Sequence, residues 1–233
     1  MIRCVKTLVI LLIGAAAADC STRQARDDPR DATAQHELAV SYFTGAGVER
    51  SYAPAAFWMR KAADQGLADA QSDLGEMYKV GLGVPVDLTQ SFAWFLQAAE
   101  QGNAVAEYNV GTAYRDGRGV TFDPAKAVEW FSKAAEHDDV DAEVALATAY
   151  LNGQGVAADH AEAAAWFRRA AERGSALADY NLGMQYANGD GVPRDTAAAL
   201  IWLDAAVARA NRQTRQKFAM ARDAVAKSAN ELR

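Results

Sequence analysis

The chain has 233 residues, 51% of them hydrophobic, with a formal net charge of −6 and two cysteines. This length allows one or two globular domains or one short repeat array, and a composition rich in alanine and poor in proline favours packed helices over a sheet. Residues 19–208 are acidic and residues 209–233 are basic on balance, and an acidic body argues against nucleic acid as the main partner.

Residues 1–18 have the pattern of a secretory signal peptide. Two cations, Arg3 and Lys6, lie near the start, and an apolar stretch and four alanines follow. Cleavage after this segment would leave Cys20 as the single cysteine of the mature chain, so no intramolecular disulfide is expected. We expect export to the periplasm or out of a bacterial cell. Two alternatives stay open: an uncleaved membrane anchor, and a lipoprotein lipidated on Cys20, although Asp19 fits a lipobox poorly.

A period of 36 residues organises the rest of the chain. After a polar linker at residues 19–31, tryptophan, tyrosine and a Gly-x-Gly-Val motif recur at this period with no insertion or deletion. A fixed period of this length is typical of solenoids, in which stacked repeats bury a core that one repeat could not. The sequence predicts five repeats, at about 32–66, 67–102, 103–138, 139–174 and 175–210.

Each repeat predicts two helices, called helix A and helix B. In the second repeat, Ala70, Leu74 and Tyr78 form a helical stripe that predicts helix A over about 68–80. The Gly-x-Gly pair that starts at Gly81 should end this helix, because glycine tolerates the left-handed backbone of a C-cap.

Helix B of the second repeat is predicted over about 88–100, with Asp87 as its N-cap. The same cap position holds Ser51 in the first repeat and aspartate in the others. Trp94 lies in this helix, and we expect the five tryptophans to form a continuous core between helices. Replacing one of them by alanine should lower the free energy of unfolding by about 3–5 kcal/mol.

Residues 211–233 predict a terminal capping helix. Phe218, Ala221 and Val225 lie at helical spacing and could cover the apolar face of repeat five, while the basic side chains face water. Ala210 replaces the glycine that ends other B helices, so we expect no obligatory stop there. Docking of this basic segment to anionic lipid is the alternative.

The combined pattern resembles the Sel-like repeat family of tetratricopeptide-type α-solenoids. It reads Ala-x3-Leu-Gly-x2-Tyr-x2-Gly-x-Gly-Val, then Trp, Ala-Ala and Gly, and covers roughly residues 32–210. The resemblance implies an all-α, right-handed α-solenoid of five 36-residue helical hairpins with a C-terminal capping helix. It also implies a scaffold or adaptor role in the bacterial cell envelope. Some secreted members carry a cysteine pair in each repeat, which this chain lacks, so enzymatic activities ascribed to that subgroup are not expected here.

No catalytic constellation is predicted, so we expect no enzyme activity, cofactor or bound metal. The Gly-x-Gly motifs have no preceding strand and no third glycine, which excludes a dinucleotide fingerprint. Three histidines lie far apart without metal-ligand spacing and are expected at the surface. The acidic run at residues 136–143 is expected near a helix N-terminus, where the helix dipole favours carboxylates, with a weak calcium site as the alternative.

A concave groove lined by the A helices is the predicted binding site. We expect it to bind a partner protein or peptide, because exposed aromatic and methionine side chains suit such a ligand. Burial of these side chains by neighbouring repeats is the alternative, and a glycan- or peptidoglycan-associated module is a second functional hypothesis. We expect a monomer that meets a membrane only through a lipidated Cys20 or the basic tail. The candidate binding residues are His36, Glu76, Tyr108, Thr112, Val144, Thr148, Tyr180 and Met184.

Overall fold

The computed structural model describes residues 30–231, and this part of the chain contains helices and no strand. The predictions of a signal peptide and of lipidation at Cys20, and most of the linker, concern residues outside that range. No helix within it is both long and apolar enough to cross a membrane. Eleven helices occupy the described range: α1 (Ala32–Thr44), α2 (Tyr52–Asp64), α3 (Ala68–Val80), α4 (Leu88–Ala99), α5 (Ala104–Asp116), α6 (Pro124–Glu136), α7 (Val140–Asn152), α8 (His160–Glu172), α9 (Ala176–Asn188), α10 (Thr196–Arg209) and α11 (Arg215–Glu231).

The helices belong to two compact units. The first ends at Asp87 and contains α1 and α2, packed as a hairpin, with α3 packed on α2. The second begins at Leu88 and contains three successive hairpins, α5 with α6, α7 with α8 and α9 with α10. Each hairpin packs on the next, α4 packs on α5, and α11 packs on α10. The all-α class and the helical-hairpin repeat predicted from the sequence are therefore confirmed.

The helix ends follow the predicted capping chemistry in most repeats. Every A helix ends at a glycine in the left-handed region, as at Gly153, whose N–H bonds the carbonyl of Ala149. Asp159 accepts from two backbone N–H groups at the start of α8. Ser51 is an exception, because its side chain makes no cap hydrogen bond at α2. The capping prediction is thus wrong at that position.

The centre of the core belongs to the residue that follows each tryptophan. Trp94 is buried, but the other four tryptophans are only partly buried and pack against the outside of the core, as Trp166 does on the alanines that join repeats three and four. Adjacent helix residues point about 100° apart, so both cannot enter the same interface. The tryptophan core is corrected accordingly: the large side chains that are nearly fully buried in all five B helices are Met59, Phe95, Phe131, Phe167 and Leu203.

The C-terminal helix is separate from α10. Ala210 has an extended backbone, and α10 ends there although no glycine requires it to end. Phe218 of α11 is buried, packs on Ala206 and Ala210, and stacks on Tyr180 with 4.7 Å between ring centroids. Phe218 lies 36 residues after Leu182. The C-terminal helix therefore packs as a helix A that continues the repeat period.

Candidate functional site

A cavity of about 230 Å³ opens in the second unit, among α5, α6, α7 and the start of α9. Its wall is mainly apolar. Tyr108 comes from α5, Phe131 from α6, Val144 from α7 and Leu177 from α9. The Tyr108 and Phe131 rings are 5.8 Å apart between centroids and tilted by 39°. Three successive repeats thus contribute to one concave site.

The regular repeat explains why these side chains converge. Tyr108 and Val144 are one period apart, so stacking of one hairpin on the next places them side by side. The helix turn brings Thr148, four residues after Val144, to the same wall. Its hydroxyl donates to the carbonyl of Val144 at 2.8 Å, so this polar group is already satisfied within the helix.

A cation and a carboxylate give the cavity its polar rim. Arg115 donates to Asp116 through Nε at 2.8 Å and through a terminal nitrogen at 3.2 Å. This hydrogen bond lowers the pKa of the Asp116 carboxyl and raises the pKa of the Arg115 guanidinium. The guanidinium also lies over the Phe131 ring, 5.9 Å from its centroid. The exposed Asp141 of α7 also lines the cavity.

Three of the predicted binding residues, Tyr108, Val144 and Thr148, line this cavity together. Val144 is only 9% exposed and contributes a small patch of wall. Tyr180 lies elsewhere: α11 covers its ring through the stacking contact with Phe218.

Two further predicted residues of the second unit lie outside the cavity wall. Met184 lines another cavity of about 210 Å³, between α9 and the C-terminal helix. Thr112 is half-buried on α5.

The remaining predicted residues, His36 and Glu76, belong to the first unit. The Nε2 atom of His36 is 2.9 Å from Oδ2 of Asp73, and Glu76 forms an ion pair with Lys79. Glu76 and Asp73 line a cavity of about 110 Å³ whose other walls are apolar, among them Phe43.

Several residues of the larger cavity were missed by sequence reasoning. Leu177 is 48% exposed, and it stands in the first turn of helix A, at a position where the other repeats hold Thr33, Asp69, Val105 and Asp141. An exposed apolar side chain at a position that does not repeat was the available signal. Arg115 had no such signal, because its role depends on the neighbouring Phe131 ring.

Carboxylates in the acidic run at residues 136–143 have hydrogen-bond or ionic partners within the protein. Asp139 caps α7 by accepting from the Ala142 N–H at 2.7 Å, as expected for a helix N-terminus. Glu143 is fully buried and lies 2.6 Å from Nε of Arg169, with Arg173 nearby. Among the described residues, no group of three or more histidine, cysteine or acidic side chains is arranged to hold a metal ion.

The histidines expected at the surface each contact a carboxylate. Besides the His36 contact in the first unit, His160 pairs with Asp190, and Nδ1 of His137 is 2.8 Å from Oε2 of Glu107. Glu107 is buried, so the His137 pair differs from a simple surface contact.

Comparison with known proteins identifies the repeat. A model of the Sel1 repeat matches residues 32–67, 68–103, 104–139, 140–175 and 176–211. A Sel1 repeat protein of known structure from Oxalobacter formigenes is 31% identical, with a TM-score of 0.78, over 88% of this chain and 85% of its own. A protective antigen of uropathogenic Escherichia coli with an SLR fold is 39% identical, with a TM-score of 0.75. That match covers 77% of this chain but only 38% of the antigen. No curated protein sequence matches this chain significantly.

Proposed function

We propose that this chain, which belongs to the Sel1 repeat family, is a non-catalytic protein-interaction scaffold of the bacterial cell envelope. The cavity among α5, α6, α7 and α9 would be its binding site, and the ligand would be a segment of a partner protein. The observation that carries the proposal is the convergence of Tyr108, Val144 and Leu177 from three successive repeats on one concave, apolar wall.

The size of the cavity favours a protein ligand over a small molecule. Small-molecule pockets are usually about 300–1,000 Å³, and this cavity holds about 230 Å³. That volume suits a single large apolar side chain, which is how protein interfaces commonly place an anchor. Leu177 at the rim adds exposed apolar surface that the fold itself does not cover.

The rim can orient such a ligand. Arg115 is held by Asp116 and by the Phe131 ring, so its guanidinium has little rotamer freedom left to lose on binding. Asp141 supplies the opposite charge on the α7 side. A segment with a large apolar residue flanked by polar or charged residues would therefore fit both the wall and the rim.

Site-specific crosslinking provides the test. A photo-crosslinking amino acid is placed at Leu177, and at Ile201 as the control, because Ile201 is also exposed but lies on α10 and does not line the cavity. Crosslinked partners are identified by mass spectrometry. We expect a partner captured from position 177 and not from position 201.

The purified partner then allows a quantitative check. Leu177→Asp should weaken its binding by about tenfold or more, the loss of roughly 1.4 kcal/mol or more that an apolar anchor contact supplies. Ile201→Asp should leave the affinity unchanged. Equal affinity of the wild-type protein and the Leu177→Asp variant would remove the cavity from the proposal.

The envelope location is part of the proposal and is supported by the signal-like pattern of residues 1–18. Cell fractionation of the full chain tests it, together with a Cys20→Ser variant for the lipoprotein alternative. Release of the chain from the membrane fraction by this substitution would support lipidation. Recovery of both the wild-type chain and the Cys20→Ser variant in the soluble fraction would argue for ordinary cleavage.

A further inference from the structure

One buried polar position recurs in every A helix. The side chains lie 36 residues apart, and all of them are buried although each carries an amide or a carboxylate: Gln35, Gln71, Glu107, Glu143 and Asp179. A polar group buried in this way is stable only with a hydrogen-bond or ionic partner.

The partner comes from the last residue of helix B or the residue just after it, 30 residues further along the chain. In the first repeat, Nε2 of Gln65 donates to Oε1 of Gln35 at 2.8 Å. The fourth and fifth repeats use arginine. Nε of Arg173 is 3.5 Å from Oε1 of Glu143, which Arg169 also approaches at 2.6 Å, and Arg209 is 2.8 Å from Asp179. In these repeats the contact ties helix A to the end of its own helix B, whereas Gln71 of the second repeat donates to the carbonyl of Ala63.

The third repeat closes its hairpin with a histidine. Nδ1 of His137 donates to Oε2 of Glu107 at 2.8 Å, and Glu107 is only 2% exposed. The Gln35 pair is neutral at any ordinary pH, and arginine stays charged throughout. Among the described pairs that involve the buried polar position of helix A, the His137 pair is therefore the one whose charge changes near neutral pH.

We propose that the Glu107–His137 contact is a pH-sensitive joint between α5 and α6, the hairpin of repeat three. This joint holds the two helices together strongly when His137 is protonated and more weakly when His137 is neutral. A charged imidazolium stabilises the buried carboxylate by both charge and hydrogen bond, whereas the neutral ring supplies only a weaker hydrogen bond. The proposal is independent of the binding function, because it concerns the stability of the hairpin without any partner.

The direction of the pH effect follows from the pKa of His137. The hydrogen bond and the negative charge of Glu107 raise this pKa above its ordinary value of about 6.5. A histidine whose pKa is higher in the folded state stabilises the fold fully below its unfolded pKa, and this stabilisation is lost as the pH rises through the folded value. The stabilisation therefore begins to fall near the ordinary pKa of about 6.5 and continues to fall as the pH rises above it.

The other charged groups around the joint do not reverse this direction. Glu136 at the end of α6 also raises the pKa of His137, and Asp139 caps α7. Asp138 binds Arg169 of α8 and Arg173, which follows α8, so its charge is largely neutralised by groups that stay charged across this range of pH. The turn after α4 also faces the imidazole ring of His137, through the uncharged Gly102.

The protein's own repeats supply the test variants. His137→Arg installs the residue that closes repeats four and five, and Glu107→Gln with His137→Gln installs the neutral pair of repeat one. Both keep a closed hairpin and remove the titration of His137, while His36 and His160 remain in every protein compared. Urea unfolding of the full chain is followed by tryptophan fluorescence from about pH 6 to about pH 8, with hydrogen exchange over α5 and α6, corrected for intrinsic rates, as a local measurement.

We expect the urea midpoint of the wild-type protein to fall across this window relative to both variants, with several-fold lower protection of α5 and α6 at the upper end. The protection of α9 and α10 should stay level. A wild-type midpoint that does not fall, or one that falls equally in His137→Arg, would overturn the proposal. Loss of a partner's binding at constant stability would bear on the proposed function and not on this joint.

Discussion

Residues of the same type have opposite roles in the second unit. Phe131 is nearly fully buried among Ala127, Ala145 and Leu146, whereas Phe122 in the preceding turn is 63% exposed. Burial of a phenylalanine removes most of its apolar surface from water, and deletion of the ring leaves a cavity that a close-packed core fills only in part. Position, and not residue type, therefore decides which aromatic holds the repeats together.

Alanine substitution at these two positions should separate the two roles. We expect Phe131→Ala to lower the free energy of unfolding by about 3–5 kcal/mol, and Phe122→Ala to change it by less than about 0.5 kcal/mol. Urea or thermal unfolding measures both. A similar loss of stability for the two variants would contradict the exposed position of the Phe122 ring.

The sequence alone could not distinguish the buried ring from its neighbours. A perfect 36-residue period marks every repeated position equally, so Trp130 and Phe131 both qualify as core. The rotation of helix B about its own axis decides which of them enters the hairpin interface, and the period contains no information about that rotation. The partly exposed Trp130 instead lies beside Lys133, whose ammonium is 3.8 Å from its ring centroid. The predicted loss on replacing a tryptophan by alanine stays a prediction.

The turn between the two helices of a repeat also contacts the preceding repeat. A methyl carbon on Gly155 would lie 2.0 Å from the carbonyl oxygen of Pro124, the first residue of the preceding helix B. The equivalent glycines Gly119 and Gly191 have the same approach to Leu88 and His160. Sequence analysis predicted a glycine turn but assigned it only to chain reversal. Contact with another repeat could not be seen from the local motif.

A comparison of two turn glycines tests this second role. Gly155→Ala and Gly47→Ala both place a side chain at positive φ, but nothing lies within 4 Å of a methyl group on Gly47. We expect Gly47→Ala to lower the free energy of unfolding by about 1–2 kcal/mol, from backbone strain alone. Gly155→Ala should lose about 1–3 kcal/mol more, because the backbones of two repeats must separate.

Denaturant unfolding, with hydrogen exchange over α6 and α7, measures this difference. Equal losses for the two variants would mean that the backbones at Gly155 and Pro124 separate without lowering the free energy of unfolding. A larger loss for Gly47→Ala would contradict the assigned role of the turn.

One turn between repeats has an aspartate in place of the usual glycine, and the contacts of its side chain explain the difference. Asp138 has a φ of 65°, at the position where Gly66, Gly102 and Gly174 stand in other repeats. Aspartate tolerates this backbone better than most residues, and its carboxylate binds Arg169 of the next helix B and Arg173, which follows that helix. The ionic contacts offset part of the backbone strain, and they could not be predicted without knowing that α8 lies across this turn.

At the scale of the chain, the period predicted the fold class better than it predicted the site. Helix number, helix length and repeat order follow from a register that never shifts. The site prediction assumed that equivalent positions have equivalent surroundings. Tyr180 shows where that assumption fails, because the repeat array ends there and α11 covers a position that Tyr108 presents to a cavity. End effects of this kind are set by the segment beyond the last repeat.

The C-terminal helix should therefore set the stability of the end that it covers. In repeat arrays, stability is approximately a sum of repeat terms and nearest-neighbour interfaces, so loss of a terminal interface loosens the adjacent repeat first. Phe218 is the buried anchor of α11 on α10, and Phe218→Ala should lower the free energy of unfolding by about 3–5 kcal/mol. Met220 on the same helix is 65% exposed, so Met220→Ala serves as the control and should change it by less than about 0.5 kcal/mol.

Hydrogen exchange shows where this stability is lost. In the Phe218→Ala variant we expect faster exchange in α9 and α10, a smaller change in α7 and α8, and none in α5, because each interface couples only adjacent repeats. Uniform acceleration across the second unit would instead indicate that its hairpins unfold as one cooperative block. Unchanged exchange in α9 and α10 would mean that α11 is not a structural part of the array, and that the Tyr180 ring is free to serve as a binding surface after all.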